Sequence, residues 1–245
     1  TAIYSGNSST LAVTSQGNAT IAPDWVWVKR RNSTSTHALV DSSRGRAKSL
    51  GSESTDAEYN TSDTAKDLIS FDTDGFTVGP ANQRNMNGNG DTFVAWQWKA
   101  NGGTTTTNDA SATSVGTIDS VHQANTTSGF SIVTYTGTGS EGTIAHGLGA
   151  TPKMIIWKRR EANGQNWSVQ GKQSAISTDR VELVLNSTNP VSSVDSRIGR
   201  QSQWSSTVFE VNTYSDQNAD GGTYVAYCFA EKKGYSKMGS YTGNG

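Results

Sequence analysis

The chain has 245 residues, of which 33% are hydrophobic and 17% are charged, and its formal net charge is −1. A general nucleic-acid binder needs a basic field that releases counterions from phosphates, so this charge balance excludes nucleic acid as an expected partner. With one cysteine and three histidines, the chain has no internal disulfide framework and too few ligands for a zinc site. Neither a metal nor another cofactor is predicted.

The composition is typical of an all-β protein. The chain contains 26 glycines and 4 prolines, and serine, threonine and asparagine are abundant. Serine and asparagine hydrogen-bond to nearby backbone and favour turns, while threonine and the aromatic residues suit a pleated, half-buried surface. No apolar run approaches the roughly 18 residues that cross a bilayer, so no membrane partner is expected.

In the first hundred residues, three segments carry clear strand signals. Trp25–Val28 is apolar on both faces, which predicts a central strand. The segment Phe71–Phe76 has a turn sequence between its terminal aromatic residues, which predicts a hairpin tip. Thr92–Lys99 alternates without helical spacing, so Trp96 and Trp98 fall on one face of a strand.

A polar segment rich in glycine and threonine follows at residues 101–128. It lacks the apolar content to pack by itself, which predicts a linker or an insertion. Val115, Ile118 and Val121 recur at three-residue spacing and indicate that the segment lies along a neighbouring surface. The next domain is therefore expected to begin near Gly129.

The remainder of the chain repeats the first hundred residues. Pro23–Arg31 recurs as Pro152–Arg160 at an offset of 129, Thr92–Trp98 as Thr223–Phe229 at 131, and Tyr4–Asn7 as Tyr135–Thr138 at 131. A third opening of this kind begins at Tyr241. One copy is longer than the roughly 20 to 50 residues of a solenoid repeat and has the size of a domain, so whole modules repeat.

Together these signals predict an all-β fold of two tandem antiparallel β-sandwich domains, of the jelly-roll or lectin type. The predicted organisation is a first β-sandwich module at residues 1–100, the linker or insertion at 101–128, a second module at 129–233 and the start of a further, truncated copy at 234–245.

Five motifs of the second copy carry a resemblance to a known family: Gly129–Gly139, His146–Gly149, Pro152–Ile156, Thr223–Ala230 and Gly234–Lys237. In order and spacing they resemble a tandem module of marine bacteriophage proteins that are usually regarded as tail-fibre or other virion components. The resemblance implies a structural role in the virion, with other virion proteins as partners, and it brings no catalytic residues with it. The first copy departs from the pattern because it has no His-Gly-Leu-Gly before Pro23.

The seven tryptophans invite a carbohydrate-binding interpretation, because sugar rings stack on indoles. Four of them align with other large apolar residues of the second copy, which predicts that they belong to the core. The aligned pairs are Trp25 with Met154, Trp27 with Ile156, Trp96 with Tyr227 and Trp98 with Phe229. Trp167 and Trp204 lie among polar neighbours and are the candidate aromatic platforms for a ligand, with packing at an edge or a protein interface as the alternative.

A Lys-Arg-Arg triplet ends the same predicted strand in both copies. In the second copy, Arg159 and Arg160 could hold phosphate or carboxylate groups of a cell-surface polysaccharide through bidentate guanidinium contacts. The alternative is a solvated strand end that discourages edge-to-edge pairing of sheets. Arg159 and Arg160 therefore join Trp167 and Trp204 as candidate ligand-binding residues.

Neither a metal site nor a catalytic set emerges from the remaining motifs. Asp216–Gly221 matches the first half of an EF-hand calcium loop, but its twelfth position is Tyr227 in place of a bidentate glutamate, which favours a turn over a looser calcium site. Gly-x-Ser-x-Gly, phosphate-loop and His-Glu-x-x-His signatures are absent from the sequence. His146 is interpreted as a turn residue and Cys228 as a buried bystander, so the chain is predicted not to be an enzyme.

The sequence thus predicts a virion structural protein, part of a phage tail fibre or appendage that attaches to the host through multivalent surface contacts. The expected partners are further copies of the chain in a homo-oligomer, other virion proteins and a host cell-surface polysaccharide. The expected location is the extracellular particle. One alternative is a capsid decoration protein with no host ligand, and an apolar flat face would favour assembly over an enzyme. The other is a polysaccharide-degrading spike, which a pair of acidic residues in a groove would favour.

Overall fold

The computed structural model describes residues 1–17, 20–82, 84–171, 179–193 and 196–239, together with Tyr241 and Asn244. Strands make up 38% of the described residues and helices 5%, which confirms the predicted all-β sandwich class. The chain separates into two compact units, one formed by Thr1–Thr104 with Ala162–Gly164 and the other by Thr105–Glu161 with Gln165–Gly245. Within the described ranges, no helix is both long enough and apolar enough to cross a membrane.

The first unit is an antiparallel sandwich of two sheets. Its strands are β1 (Ala2–Ser5), β2 (Leu11–Val13), β3 (Trp25–Arg30), β4 (His37–Asp41), β5 (Lys48–Gly51), β6 (Tyr59–Asn60), β7 (Leu68–Phe71), β8 (Phe76–Val78) and β9 (Thr92–Trp98). The strand order is β1-β9-β3-β4-β5-β6 in the larger sheet and β2-β8-β7 in the smaller one. The predicted hairpin tip joins β7 to β8, where the Asp72 N–H donates to the Gly75 carbonyl at 2.9 Å.

Alternation along the strands decides which side chains fill this sandwich. On β9, Phe93 and Ala95 are fully buried between the two sheets, whereas Val94 and Trp96 lie on the opposite face. The apolar core, whose removal from water drives the packing of the two sheets, consists of Ala2, Val13, Val26, Val28, Ala38, Val40, Leu68, Phe76, Val78, Met86, Phe93 and Ala95.

The second unit is also an antiparallel sandwich. Its elements are β10 (Thr106–Asn108), α1 (Ala110–Thr113), β11 (Ser120–Asn125), β12 (Phe130–Thr136), β13 (Gly142–Ala145), β14 (Met154–Arg159), β15 (Trp167–Gly171), β16 (Val181–Val184), β17 (Ser192–Ser193), a 3₁₀ turn (Gln201–Gln203), β18 (Val208–Val211), α2 (Ser215–Asn218) and β19 (Thr223–Phe229). The larger sheet has the order β10-β11-β12-β19-β14-β15-β16-β17, and β13 pairs with β18. Aromatic residues fill the space between them, with Trp157 edge-on to Phe209 at 5.7 Å.

The two units repeat one topology. The order β1, β9, β3, β4, β5, β6 in the first unit matches the order β12, β19, β14, β15, β16, β17 in the second. The register repeats as well, since Tyr4 faces Phe93 in one unit and Tyr135 faces Tyr224 in the other. The sequence offset of 131 therefore relates structurally equivalent residues.

The segment at residues 101–128, predicted to be a linker or an insertion, contains β10, α1 and β11. β10 and β11 extend the larger sheet of the second unit beyond β12. Ile118 is buried and bridges to Ile144, so the spaced apolar residues do find a neighbour. The compact unit begins at Thr105 and not near Gly129. From the predicted truncated copy, Ser240, Thr242, Gly243 and Gly245 lie outside the described residues.

Candidate functional site

The most strongly repeated sequence motif closes a turn in each unit. The Tyr4 hydroxyl donates to the Met86 carbonyl at 2.7 Å, and the Tyr135 hydroxyl donates to the Gln217 carbonyl at 2.5 Å. These pairs are equivalent at the offset of 131. Because both tyrosine hydroxyls are satisfied inside the fold, the repeated Tyr-x-Gly motif has a structural role.

A buried asparagine completes the same turn. Asn218 accepts a hydrogen bond from the Thr138 N–H at 2.9 Å and donates one to the Ser140 carbonyl at 2.7 Å. The glycine of the motif is required sterically, since a Cβ at Gly137 would lie 2.3 Å from the Ala219 carbonyl oxygen. The residues that repeat most clearly in the sequence therefore stabilise the fold.

The structure buries both candidate tryptophans, although Trp204 lines a depression of about 310 Å³ beside Pro152 and Lys153. A ligand-binding role for Trp167 and Trp204 stays a prediction. Trp167 is 0% exposed and Trp204 is 8% exposed. Trp204 packs 6.0 Å from Trp157 in the core, and the backbone N–H of Trp167 donates to Asn186 Oδ1 at 2.8 Å. The polar residues that precede them in the sequence lie outside the strands, while the indoles themselves turn inward.

The two candidate arginines have different surroundings. Arg159 Nε lies 2.5 Å from Glu161 Oε1, and this hydrogen bond raises the pKa of Arg159 above its ordinary value. Glu161 also accepts hydrogen bonds from the backbone N–H and the hydroxyl of Thr223, both at 2.9 Å. Through Glu161, Arg159 therefore helps to connect the end of β14 to the start of β19. Arg160 instead lines a depression on the sheet.

We call this depression the threonine groove. It has a volume of about 290 Å³ and is lined by Thr107, Asp119, Ser120, Val121, Thr134, Tyr135, Thr136, Arg160 and Thr223. The groove runs across β10, β11, β12 and β19 to the end of β14. Threonines at alternate positions of a strand share one face of a sheet, which is why Thr134 and Thr136 line it together.

Sequence reasoning found Arg160 but missed the rest of the groove. The available signal was the alternation of threonines on neighbouring strands, at 134 and 136 and at 105 and 107. The sequence alone does not reveal the groove from this alternation, because a linker or insertion at residues 101–128 is not expected to contribute a strand such as β10 to a sheet. No sequence pattern predicted that Asp119 lines the groove. It lies in the loop before β11, and only the pairing of β11 with β12 places it near Thr136.

Four tryptophans of the first unit form a second surface, which we call the tryptophan face: Trp25, Trp27, Trp96 and Trp98. Trp25 stacks on Trp98 with ring centroids 4.3 Å apart, and Trp27 meets Trp96 edge-on at 6.0 Å. Trp25 is fully buried, but Trp96 is 36% exposed. Beside them on the same face, Ile3 is 49% exposed and pairs with Val94.

The prediction that all four of these tryptophans are core residues is wrong for Trp96. Trp27 and Trp98 are half-buried, and only Trp25 is buried completely. The alignment with Tyr227 was misleading because Tyr227 is fully buried in the second unit. The equivalent face of the larger sheet is thus buried in one unit and partly open in the other, although the register is the same.

The two residues with the most reactive side chains are held inside the second unit. His146 Nδ1 accepts a hydrogen bond from the Leu148 N–H at 3.1 Å, and Nε2 donates to the Ser205 carbonyl at 3.3 Å. Burial lowers the pKa of His146 to about 4. Cys228 is fully buried, and burial raises the pKa of its thiol well above the ordinary value. Neither group is accessible to a substrate in this structure.

Asp216 lies in the one-turn helix α2 and not in an open calcium loop. Its Oδ1 accepts the Asn166 N–H at 3.0 Å, and burial raises the pKa of its carboxyl. The carboxylate thereby ties α2 to the start of β15. In the described part of the chain, no three His, Cys, Asp or Glu side chains are grouped as metal ligands.

Comparison with known proteins identifies a family without assigning an activity. The family model named as a domain of unknown function, DUF7483, matches residues 1–245, so the chain belongs to this family. No curated protein and no solved structure matches the chain.

Proposed function

We propose that this member of the DUF7483 family is a virion structural protein, part of a phage tail fibre or similar appendage that attaches to the host through many weak surface contacts. The proposal rests on the sequence resemblance to marine bacteriophage modules and on the surfaces of the two sandwiches. Its expected partners are other virion proteins, further copies of the chain and a host cell-surface polysaccharide. The expected location is the extracellular particle, with neither nucleic acid nor a membrane as a partner.

The observation that carries the proposal is the open apolar part of the tryptophan face. Trp96 and Ile3 together expose aromatic and aliphatic surface on one face of the larger sheet of the first unit. Exposed apolar patches of this kind are typical of interaction surfaces, because leaving them in water is costly. An assembly role accounts for a tryptophan at a position where the fold itself does not bury it.

Among its described lining residues, the threonine groove lacks the pair of carboxylates expected for a polysaccharide-degrading spike. Glycoside hydrolysis uses two carboxyl groups that flank the scissile bond. Glu182 and Asp216 are both buried, and Asp119 is the one carboxylate among the residues that line the threonine groove. A single carboxylate does not supply both the acid and the base of glycoside hydrolysis, so the groove suits binding better than catalysis.

The second candidate function is a capsid decoration protein with no host ligand. The same open apolar surface at Trp96 and Ile3 favours it, because an open apolar face suits packing against a shell as well as packing in a fibre. The two functions differ in whether the threonine groove has a ligand. The polysaccharide-degrading spike is the weaker alternative, since it needs a second carboxylate in the groove.

Imaging and binding together test the proposal. Antibodies against the purified chain, viewed by electron microscopy on intact particles, are expected to label an appendage. The purified chain, multimerised on beads, is expected to bind host cells and to release no soluble oligosaccharide from host capsule. Antibody label on the capsid shell, together with no binding to host cells, would support the capsid decoration function instead. Oligosaccharide release that is lost on changing one acidic residue would establish the spike.

A further inference from the structure

The threonine groove places a cation and an anion at a row of hydroxyl groups. Arg160 and Asp119 both line it. The register of the sheet places both near Thr136. Thr136 faces Thr223, whose carbonyl accepts the Arg160 N–H at 2.8 Å. Asp119 directly precedes Ser120, which faces Tyr135. Charged groups of opposite sign with hydroxyls between them match a ligand that carries both an anionic group and hydroxyls.

We propose that the threonine groove binds one carboxylated sugar residue, a hexuronate of an acidic polysaccharide, an inference that rests on the proposed adhesive function. The guanidinium of Arg160 pairs with the sugar carboxylate, since the planar fork of arginine matches carboxylate geometry. Arg160 also has a contact within the chain, and a guanidinium with five N–H donors can bind more than one partner.

The remaining lining residues suit the hydroxyls and the ring of a sugar. Within the described ranges, the side-chain hydroxyls of Thr107, Thr134 and Thr136 make no hydrogen bond to the protein. Each can donate and accept. Asp119 Oδ1 accepts the Ala110 N–H at 2.8 Å, and a carboxylate has further lone pairs for sugar hydroxyls. The threonine methyl groups and Val121 supply apolar surface for the C–H face of the ring.

Size and charge select this ligand class. A volume of about 290 Å³ lies at the lower end of small-molecule pockets, which begin near 300 Å³, so the groove suits one sugar residue. Arg160 is the one cation and Asp119 the one anion among the described residues that line the groove, so the groove suits a ligand with one negative charge better than a ligand with two. A phosphate ester with nearly two negative charges would face Asp119 with an uncompensated charge, which disfavours it.

The first unit provides an internal control. Arg31 is the structural equivalent of Arg160, since its N–H donates to the Thr92 carbonyl at 2.7 Å in the same register. Ile3 stands where Thr134 stands, and β1 is the edge strand of its sheet. The first unit therefore lacks the wall that β10 and β11 build, and Arg31 is not expected to contribute to uronate binding.

Calorimetric titration of the full chain with digalacturonate and with its carboxyl-reduced, neutral counterpart tests the inference. Arg160→Met is expected to weaken digalacturonate binding about tenfold or more, as for loss of a hydrogen bond to a charged group. Thr136→Val, which keeps the shape but removes a hydroxyl, is expected to weaken it about threefold to tenfold. Arg31→Met is expected to leave it unchanged. Unaltered circular dichroism and thermal midpoints confirm that the variants fold.

The outcomes separate this inference from the proposed function. Equal binding of the acidic and neutral sugars, or equal losses from Arg160→Met and Arg31→Met, would overturn the uronate site. So would tighter binding of a sulfated disaccharide than of digalacturonate. If the chain binds host cells but not digalacturonate, the groove is wrong and adhesion stands. If the groove binds digalacturonate but particles carry no label on an appendage, the site stands and the appendage assignment fails.

Discussion

Trp157 and Trp96 are both tryptophans on central strands, yet their surroundings differ. Trp157 is enclosed between the sheets of the second unit, whereas Trp96 is 36% exposed on the first. Trp157→Ala is expected to lower the free energy of unfolding by about 3 to 5 kcal/mol, because it leaves a cavity in a packed core. Trp96→Ala is expected to cost less, about 1 to 3 kcal/mol, because about a third of its surface is already in water and its removal leaves no enclosed cavity.

Chemical denaturation of the two variants measures this difference. The same comparison reports on assembly, since Trp96→Ala removes exposed apolar surface and is expected to reduce self-association in sedimentation experiments, while Trp157→Ala is not. Equal losses of stability in the two variants would show that Trp96 is a core residue after all. The tryptophan face would then lose its assignment as an interaction surface.

His146 makes the stability of the second unit depend on pH. Burial lowers the pKa of His146 from 6.5 to about 4. Below pH 6.5 the unfolded chain therefore binds a proton at this histidine, whereas the folded chain binds it only near pH 4. The contribution of His146 to the free energy of unfolding is fully present above pH 6.5 and falls by up to about 3 kcal/mol as the pH decreases toward 4. His122, whose pKa burial also lowers, acts in the same direction.

Unfolding curves at pH 7 and pH 4.5 test this effect. His146→Asn is expected to be less stable than the natural chain at pH 7 and to lose less stability on acidification, because the substituted side chain does not titrate. Asp67 and Asp216, whose pKa values burial raises, oppose the histidines, so the comparison between variant and natural chain isolates His146. An unchanged pH dependence in the variant would contradict the assignment.

At the scale of elements, the edge strand β1 is protected by a side chain. Gln16 Oε1 accepts the Ile3 N–H at 3.2 Å, and Gln16 Nε2 donates to the Ile3 carbonyl at 2.9 Å. A glutamine amide thus occupies the position that a neighbouring strand would take. Open strand edges template pairing with other chains, so this contact keeps β1 from pairing through its backbone.

Removing the glutamine should expose the edge. Gln16→Ala is expected to increase self-association at micromolar concentration in analytical ultracentrifugation, because the backbone groups of Ile3 become available. Gln16→Lys is the matched control, since a charge at an edge discourages pairing. A monomeric Gln16→Ala variant would mean that the short strand is too irregular to pair and that Gln16 has no protective role.

At the scale of the whole molecule, adhesion by repeated modules depends on copy number. A monomer is expected to bind host cells weakly, and a streptavidin-linked tetramer is expected to bind about a hundredfold more tightly, since linked sites raise the effective concentration of one another. Flow cytometry on host cells measures both. Equal binding by monomer and tetramer would show a single strong site and would remove the argument from multivalency.

The sequence determined the strand content, the repeat and much of the register. Alternating and doubly apolar segments such as Trp25–Val28 and Thr92–Lys99 carry their own strand signal, and the offset of 131 matches equivalent residues in the two units. These features depend on local periodicity and on comparison of the chain with itself. Both are present in one sequence.

Tertiary structure alone decided which surfaces are open. Trp96 and Tyr227 occupy equivalent positions, but one is exposed and the other is buried, because burial depends on what covers a sheet face and not on the strand itself. The threonine groove likewise needs β10 and β11 to join the sheet beside β12. A site built from side chains on five segments exists only once hydrogen-bond pairing between distant parts of the chain has set their register.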